Sequence, residues 1–96
     1  MEMNVSEIRK YLYEKGIQSD FARMMSEMIM HTFDYDKVHM ISGIVTEHSF
    51  IDMFCYVFRN IEAEELHEIY ALDRERKMNY EQLLGLMNRI RKGDMS

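Results

Sequence analysis

The seventeen residues from Ala71 to Met87 read Ala-Leu-Asp-Arg-Glu-Arg-Lys-Met-Asn-Tyr-Glu-Gln-Leu-Leu-Gly-Leu-Met, and the fold turns on them. An acidic segment, Glu62 to Tyr70, runs into this stretch, with Leu66, Ile69 and Tyr70 spaced along one helical face. An amphipathic segment, Tyr80 to Ile90, runs out of it. Leu83, Met87 and Ile90 form the inner edge of that second helix, with Leu84 and Leu86 beside them. Asn79 and Gln82 have the spacing of a capping box at its start. Arg89, Arg91 and Lys92 complement its C-terminal dipole before Gly93. Between the helices lies a charged run interrupted by one apolar residue, Met78.

This arrangement resembles the helix–loop–helix of the EF-hand family, most clearly over residues 62–90. In that family a loop of about twelve residues places oxygen ligands at fixed positions around a turn glycine and ends on a bidentate glutamate. With the loop starting at Ala71, Asp73 and Glu75 take the third and fifth positions, Met78 the eighth and Asn79 the ninth. The departures are as informative. Ala71 replaces the first acidic ligand, Arg76 the turn glycine and Gln82 the bidentate glutamate. The resemblance therefore implies a vestigial loop of Asp73, Glu75 and Asn79 that binds no metal. A second, more decayed loop fits between Val38 and Ser49, with Gly43 at the glycine position and Val45 at the eighth. Phe50, Met53 and Phe54 follow it on the exiting helix, while Val38, Met40, Ser42 and Ser49 stand where ligands belong. An ordinary helix–helix turn around Gly43 is the alternative.

Three further helices read from periodicity and caps. Val5, Ile8 and Leu12 define the first, Asn4 to Lys15, with Asn4 or Ser6 as its cap and Gly16 as a left-handed stop. Ser19 caps the second, whose broad face carries Phe21, Met24, Met25, Met28, Ile29 and Phe33. Asp34-Tyr35-Asp36 marks its end. Thr46 caps the third, Glu47 to Arg59, which has almost no polar side and is expected to be the buried central helix. Asn60 is the expected cap of the acidic helix. The result is all-α: a compact bundle of about five helices in one domain, residues 1–96. An N-terminal helix (1–16) precedes a weak first EF-hand-like unit (19–60) and a clearer second one (61–92).

Composition limits the function. The net charge is −5, with eight acids against five bases in residues 1–48 and nine against seven in 49–96. Neither half carries the basic footprint that nucleic-acid binding needs. The opening Met-Glu-Met-Asn has no basic region followed by an apolar run, so no secretory signal is expected. The apolar run Met53 to Phe58 is too short to span a bilayer. A cytoplasmic location is expected, with a nuclear one also compatible. The single cysteine, Cys55, has no internal partner for a disulfide and sits in the most apolar helix, where burial disfavours a thiolate. His48 is too far along that helix to activate it.

Other site classes find little support. Glu64 and His67 have the Glu-x-x-His spacing of di-iron bundles, but no second such motif occurs. Glu27 and His31 lie one turn apart, a spacing common by chance. A helix-turn-helix around Gly16 would present Asp20, Arg23, Ser26, Glu27 and His31, too acidic a set for base readout. No enzyme and no cofactor is expected. Methionine stands out, with 11 residues. Flexible thioether side chains suit either an irregular core or an adaptable groove. Family resemblance implies an adaptor that receives an amphipathic partner helix in a Met-rich groove, without calcium. The candidate contact residues are Met24, Met25, Met28, Phe50, Phe54, Met87 and Ile90. The alternative is a small acidic regulator that blocks a nucleic-acid-binding enzyme through Glu62, Glu64, Glu65 and Glu68.

Overall fold

A computed structural model describes residues 2–36 and 46–91. Among them the chain forms five helices: α1 (Val5–Glu14), α2 (Ser19–Asp36), α3 (Glu47–Val57), α4 (Ala63–Arg76) and α5 (Tyr80–Arg91). No strand occurs among the described residues, so the all-α reading holds. The connection expected around Gly43, including the second loop fitted there, lies outside the described residues apart from its last turn.

Local signals set most of the boundaries. The Asn4 side chain accepts from the Glu7 N–H at 2.8 Å, and Glu7 accepts from the Asn4 N–H at 2.9 Å. This reciprocal box satisfies two otherwise orphaned donors of α1. Thr46 caps α3 by accepting from Ser49 N at 3.0 Å. Asn79 and Gln82 form the expected box at α5, at 2.8 and 3.0 Å. Gly16, at φ 89°, provides the left-handed residue after α1. Two expected caps are displaced. Ser19 is already helical, and the Gln18 carbonyl receives the first-turn bond from Ala22 N at 2.8 Å. Asn60 stands outside α4, where Glu62 occupies the cap position and its N–H bonds Glu65 at 3.0 Å.

The central helix is α2, not α3. It packs against all four other helices. Met24, Met25, Met28, Ile29 and Phe33 bury its apolar stripe, while Ala22, Ser26 and Thr32 are buried as well. Burial therefore extends well beyond the face that hydropathy marks. By contrast α3 buries Phe50, Ile51 and Phe54 and leaves Asp52, Met53 and Tyr56 exposed. Its inner side is an aromatic stack: Phe54 lies parallel to Phe58 at 4.6 Å, and Phe50 meets Phe33 edge-on at 5.3 Å. Tyr80 at the start of α5 closes the cluster, 5.6 Å from Phe50 and 6.1 Å from Phe54. Such ring pairs contribute about 0.5–1.5 kcal/mol each beyond their buried area.

This packing separates two aromatic neighbours on α3. Phe54→Ala removes a fully buried ring and should cost about 3–5 kcal/mol of stability. Tyr56→Ala, two residues away on the opposite face, should change stability by less than about 0.5 kcal/mol. Urea denaturation of both variants measures the difference; equal losses would mean that the burial of α3 is misassigned.

Candidate functional site

Six of the seven groove candidates form the core. Met24, Met28 and Phe54 are fully buried, and Met25, Phe50 and Met87 nearly so. Ile90 is half-buried against them. A surface groove through these side chains is therefore not what the fold contains. The physical reason is the position of α2: helices on several sides of it leave irregular gaps, and unbranched methionine fills such gaps well.

The vestigial-loop residues are also placed otherwise. Residues 71–76 continue α4, and the connection to α5 is only residues 77–79. Asp73 is buried and Glu75 exposed, while Asn79 is used by the α5 capping box. The three do not converge on a common point. No glycine or proline breaks the helix at Arg76, and α4 stops only at Lys77, which takes the left-handed conformation at φ 54°. That conformation costs a non-glycine residue about 1–2 kcal/mol. Asp73 offsets part of it from two directions. Its carbonyl accepts from Lys77 N at 2.7 Å, and its carboxylate accepts from Met78 N at 3.3 Å.

The second carboxylate oxygen of Asp73 contacts His31 Nε2 on α2. One turn earlier along both helices, the Tyr70 hydroxyl donates to Glu27 at 2.5 Å. Arg23 and Arg74 flank the Tyr70 ring, at 5.8 and 5.6 Å from its centre. These contacts form a polar seam between α2 and α4, on the very face of α2 that sequence spacing assigns to solvent. Ser26, buried beneath it, returns its hydroxyl to the Arg23 carbonyl at 2.9 Å. Burial, more than the hydrogen bond to Glu27, raises the Tyr70 hydroxyl above its ordinary range. Burial likewise raises the Asp73 carboxyl, against the opposing pull of His31.

A smaller network ties α1 to α3. Asp52 accepts from Tyr11 Oη at 2.9 Å and pairs with Lys15 Nζ at 2.8 Å. The Tyr11 ring meets His48 edge-on at 4.9 Å. Hydrogen bonds from Lys15 and then Tyr11 hold the Asp52 carboxyl below its usual range. Beneath this network burial pushes the Cys55 thiol up to about 11, so it stays protonated at neutral pH and is a poor nucleophile.

Among the described residues, the large apolar side chains most open to solvent were not among the sequence candidates. Tyr56 is 66% exposed, Tyr13 46% and Met53 39%. Met53 and Tyr56 share the outer face of α3, one turn apart. Arg59, in the turn just after α3, stacks 4.0 Å over the Tyr56 ring and donates to the Tyr56 carbonyl at 2.6 Å. The signal was present in the sequence: 53 and 56 fall opposite 50, 51, 54 and 58 on a helical wheel. Reading α3 as apolar all round concealed it. None of the described helices is long and apolar enough to cross a membrane. Comparison with protein-family models, curated proteins and solved structures finds no match to this chain.

The Asp73 seam gives stability a defined pH dependence. With the folded-state value raised, protonated Asp73 is the form that the fold favours. That contribution is complete below the unfolded-state value and is lost as pH rises through the folded one. Asp73→Asn keeps an acceptor for Met78 N and removes the titration. Between about pH 4 and about pH 7 the stability difference should therefore move in favour of the variant, as read by urea denaturation. A difference that stays constant, or moves the other way, would show that Asp73 is not raised.

Proposed function

We propose that this chain is a non-catalytic, calcium-independent adaptor that binds an amphipathic helix of another protein through the outer face of α3. The observation that carries the reading is the row Met53, Tyr56 and Arg59, with Met53 39% and Tyr56 66% exposed. Tyrosine, methionine and arginine are enriched at the centres of protein interfaces. Tyr56 gives contact area at small entropic cost, and the stacked Arg59 limits its motion before binding. The inner side of the same helix is fixed by Phe50, Ile51 and Phe54, so the outer row sits on a firm base. A non-catalytic role is supported by the commitments of the reactive groups. The Cys55 thiol stays protonated, and His31 and Asp73 are engaged with each other across the seam. The net charge of −5 favours a protein partner over nucleic acid.

The exposure of Glu62, Glu64 and Glu68 on the first turns of α4 favours a second reading, an acidic regulator that blocks a nucleic-acid-binding enzyme. Salt separates the two. Apolar burial persists when charge pairs are screened, so adaptor binding should survive a rise from about 0.1 M to about 1 M salt. Met53→Ser and Tyr56→Ser, both at exposed positions, should each weaken the partner by about tenfold or more. Glu64→Gln with Glu68→Gln should leave affinity nearly unchanged. The measurement is affinity for the partner captured from host extract, with retained helicity confirmed for each variant. Binding that collapses in salt and with the glutamate changes, yet ignores the α3 variants, would transfer the assignment to the acidic regulator.

A further inference from the structure

A recess of about 270 Å³ opens where the end of α4 meets the first turns of α5, lined by Arg76, Met78, Gln82, Gly85 and Arg89. Gln82, Gly85 and Arg89 stand at three- and four-residue intervals and so share one face of α5. Arg76 reaches the same recess from the last residue of α4. Met78, nearly buried, lies beneath them. No carboxylate among the described residues pairs with Arg76 or Arg89. The oxygen of the Gln82 carboxamide is used by the capping box, and its NH2 group has no partner among the described residues.

Gly85 is the independent observation. Glycine is a poor residue for a helix interior, and its lack of a Cβ lets another group come close to the backbone. Nothing among the described residues does so. A Cβ at Gly85 would meet no atom within 4 Å, and the backbone there needs no left-handed conformation. The packing of the fold is therefore indifferent to this glycine, while the recess is not, since a side chain would project into it.

We propose that this recess binds a phosphate monoester. The phosphate would lie between Arg76 and Arg89 over the bare backbone of Gly85, with its organic group against Met78. Two guanidinium groups from different helices, joined by the Gln82 NH2, offer donors from separate directions. That arrangement suits a tetrahedral group with three free oxygens. A planar carboxylate is satisfied by the fork of one arginine. The volume holds a phosphate and a small substituent and falls below the range of drug-sized pockets, about 300–1,000 Å³. The site is separate from the α3 face and does not rest on the adaptor reading.

The experiment is a titration of the whole 15N-labelled chain with phenyl phosphate at constant ionic strength, followed by backbone amide shifts. Inorganic phosphate, benzoate and sodium chloride are run alongside. The expected result is saturable movement centred on Arg76, Gln82, Gly85 and Arg89, strongest with phenyl phosphate. Arg76→Gln and Arg89→Gln, both at exposed positions, should each weaken binding about tenfold or more. Gly85→Ala should abolish it while helicity and melting temperature hold or rise, because alanine is the better helix former. Benzoate binding as tightly as phenyl phosphate would overturn the phosphate assignment. So would non-saturating shifts spread over all basic residues, or Gly85→Ala binding like the parent.

Discussion

The fold depends on one constraint: α2 is enclosed on several sides, and it is not apolar all round. Every polar group along it must find a partner, since an unpaired one buried in protein costs about 1–3 kcal/mol. Two solve the problem within the helix. Ser26 bonds the Arg23 carbonyl, and Thr32 bonds the Met28 carbonyl at 2.7 Å. Two more, Glu27 and His31, are too long for that and pair with α4. They lie one turn apart, and so do their partners Tyr70 and Asp73. A slide of α4 by one residue would break both pairs together, so these contacts fix the register in which the two helices meet. Asp73 then passes the constraint onward, because the same side chain holds the turn that starts α5.

Elements marked by local chemistry were legible in the sequence. Asn4, Thr46, and Asn79 with Gln82 announce helix starts because their side chains bond backbone a few residues away, without help from the fold. Gly16 announces a stop because, without a Cβ, it takes the left-handed conformation readily. The partners across α2 were not legible. Hydropathy finds one apolar stripe per helix, and the second packed face of α2 is built from buried Ser26 and half-buried Glu27 and His31, with exposed Arg23 at its edge. In isolation those residues read as solvent-facing. The end of α4 was hidden similarly. Lys77 occupies a left-handed position usually held by glycine, and its stabilisation comes from Asp73 in the preceding turn. Without a visible stop, the charged run from Ala71 to Asn79 reads as a loop with oxygen ligands.

The methionines follow from the same geometry. A helix enclosed by neighbours at different angles leaves gaps of unequal shape, and branched side chains fit these less easily than an unbranched thioether. Met24, Met25, Met28 and Met87 are all spent in this way. Sequence composition shows the excess of methionine but not its location, because core and groove make the same demand on the side chain. On α3 packing leaves a narrower set exposed, Met53 with Tyr56.

Charge along α4 divides into an acidic start and a basic end, Glu64 and Glu65 against Arg74 and Arg76. That order needs no ligand to explain it. Acids near the N-terminus and bases near the C-terminus each complement the helix dipole, by about 0.3–1 kcal/mol at exposed sites. Arg76 on its own is therefore adequately explained by α4. Arg89 and Gly85 are not explained by it, because they belong to α5 and face the same recess from the other side. A mid-helix glycine lowers helix stability by about 1 kcal/mol relative to alanine, and among the described residues nothing lies close enough to demand the missing Cβ. Intrahelical electrostatics thus explains the charges of α4 and leaves the open face of α5 as the feature that folding alone does not require.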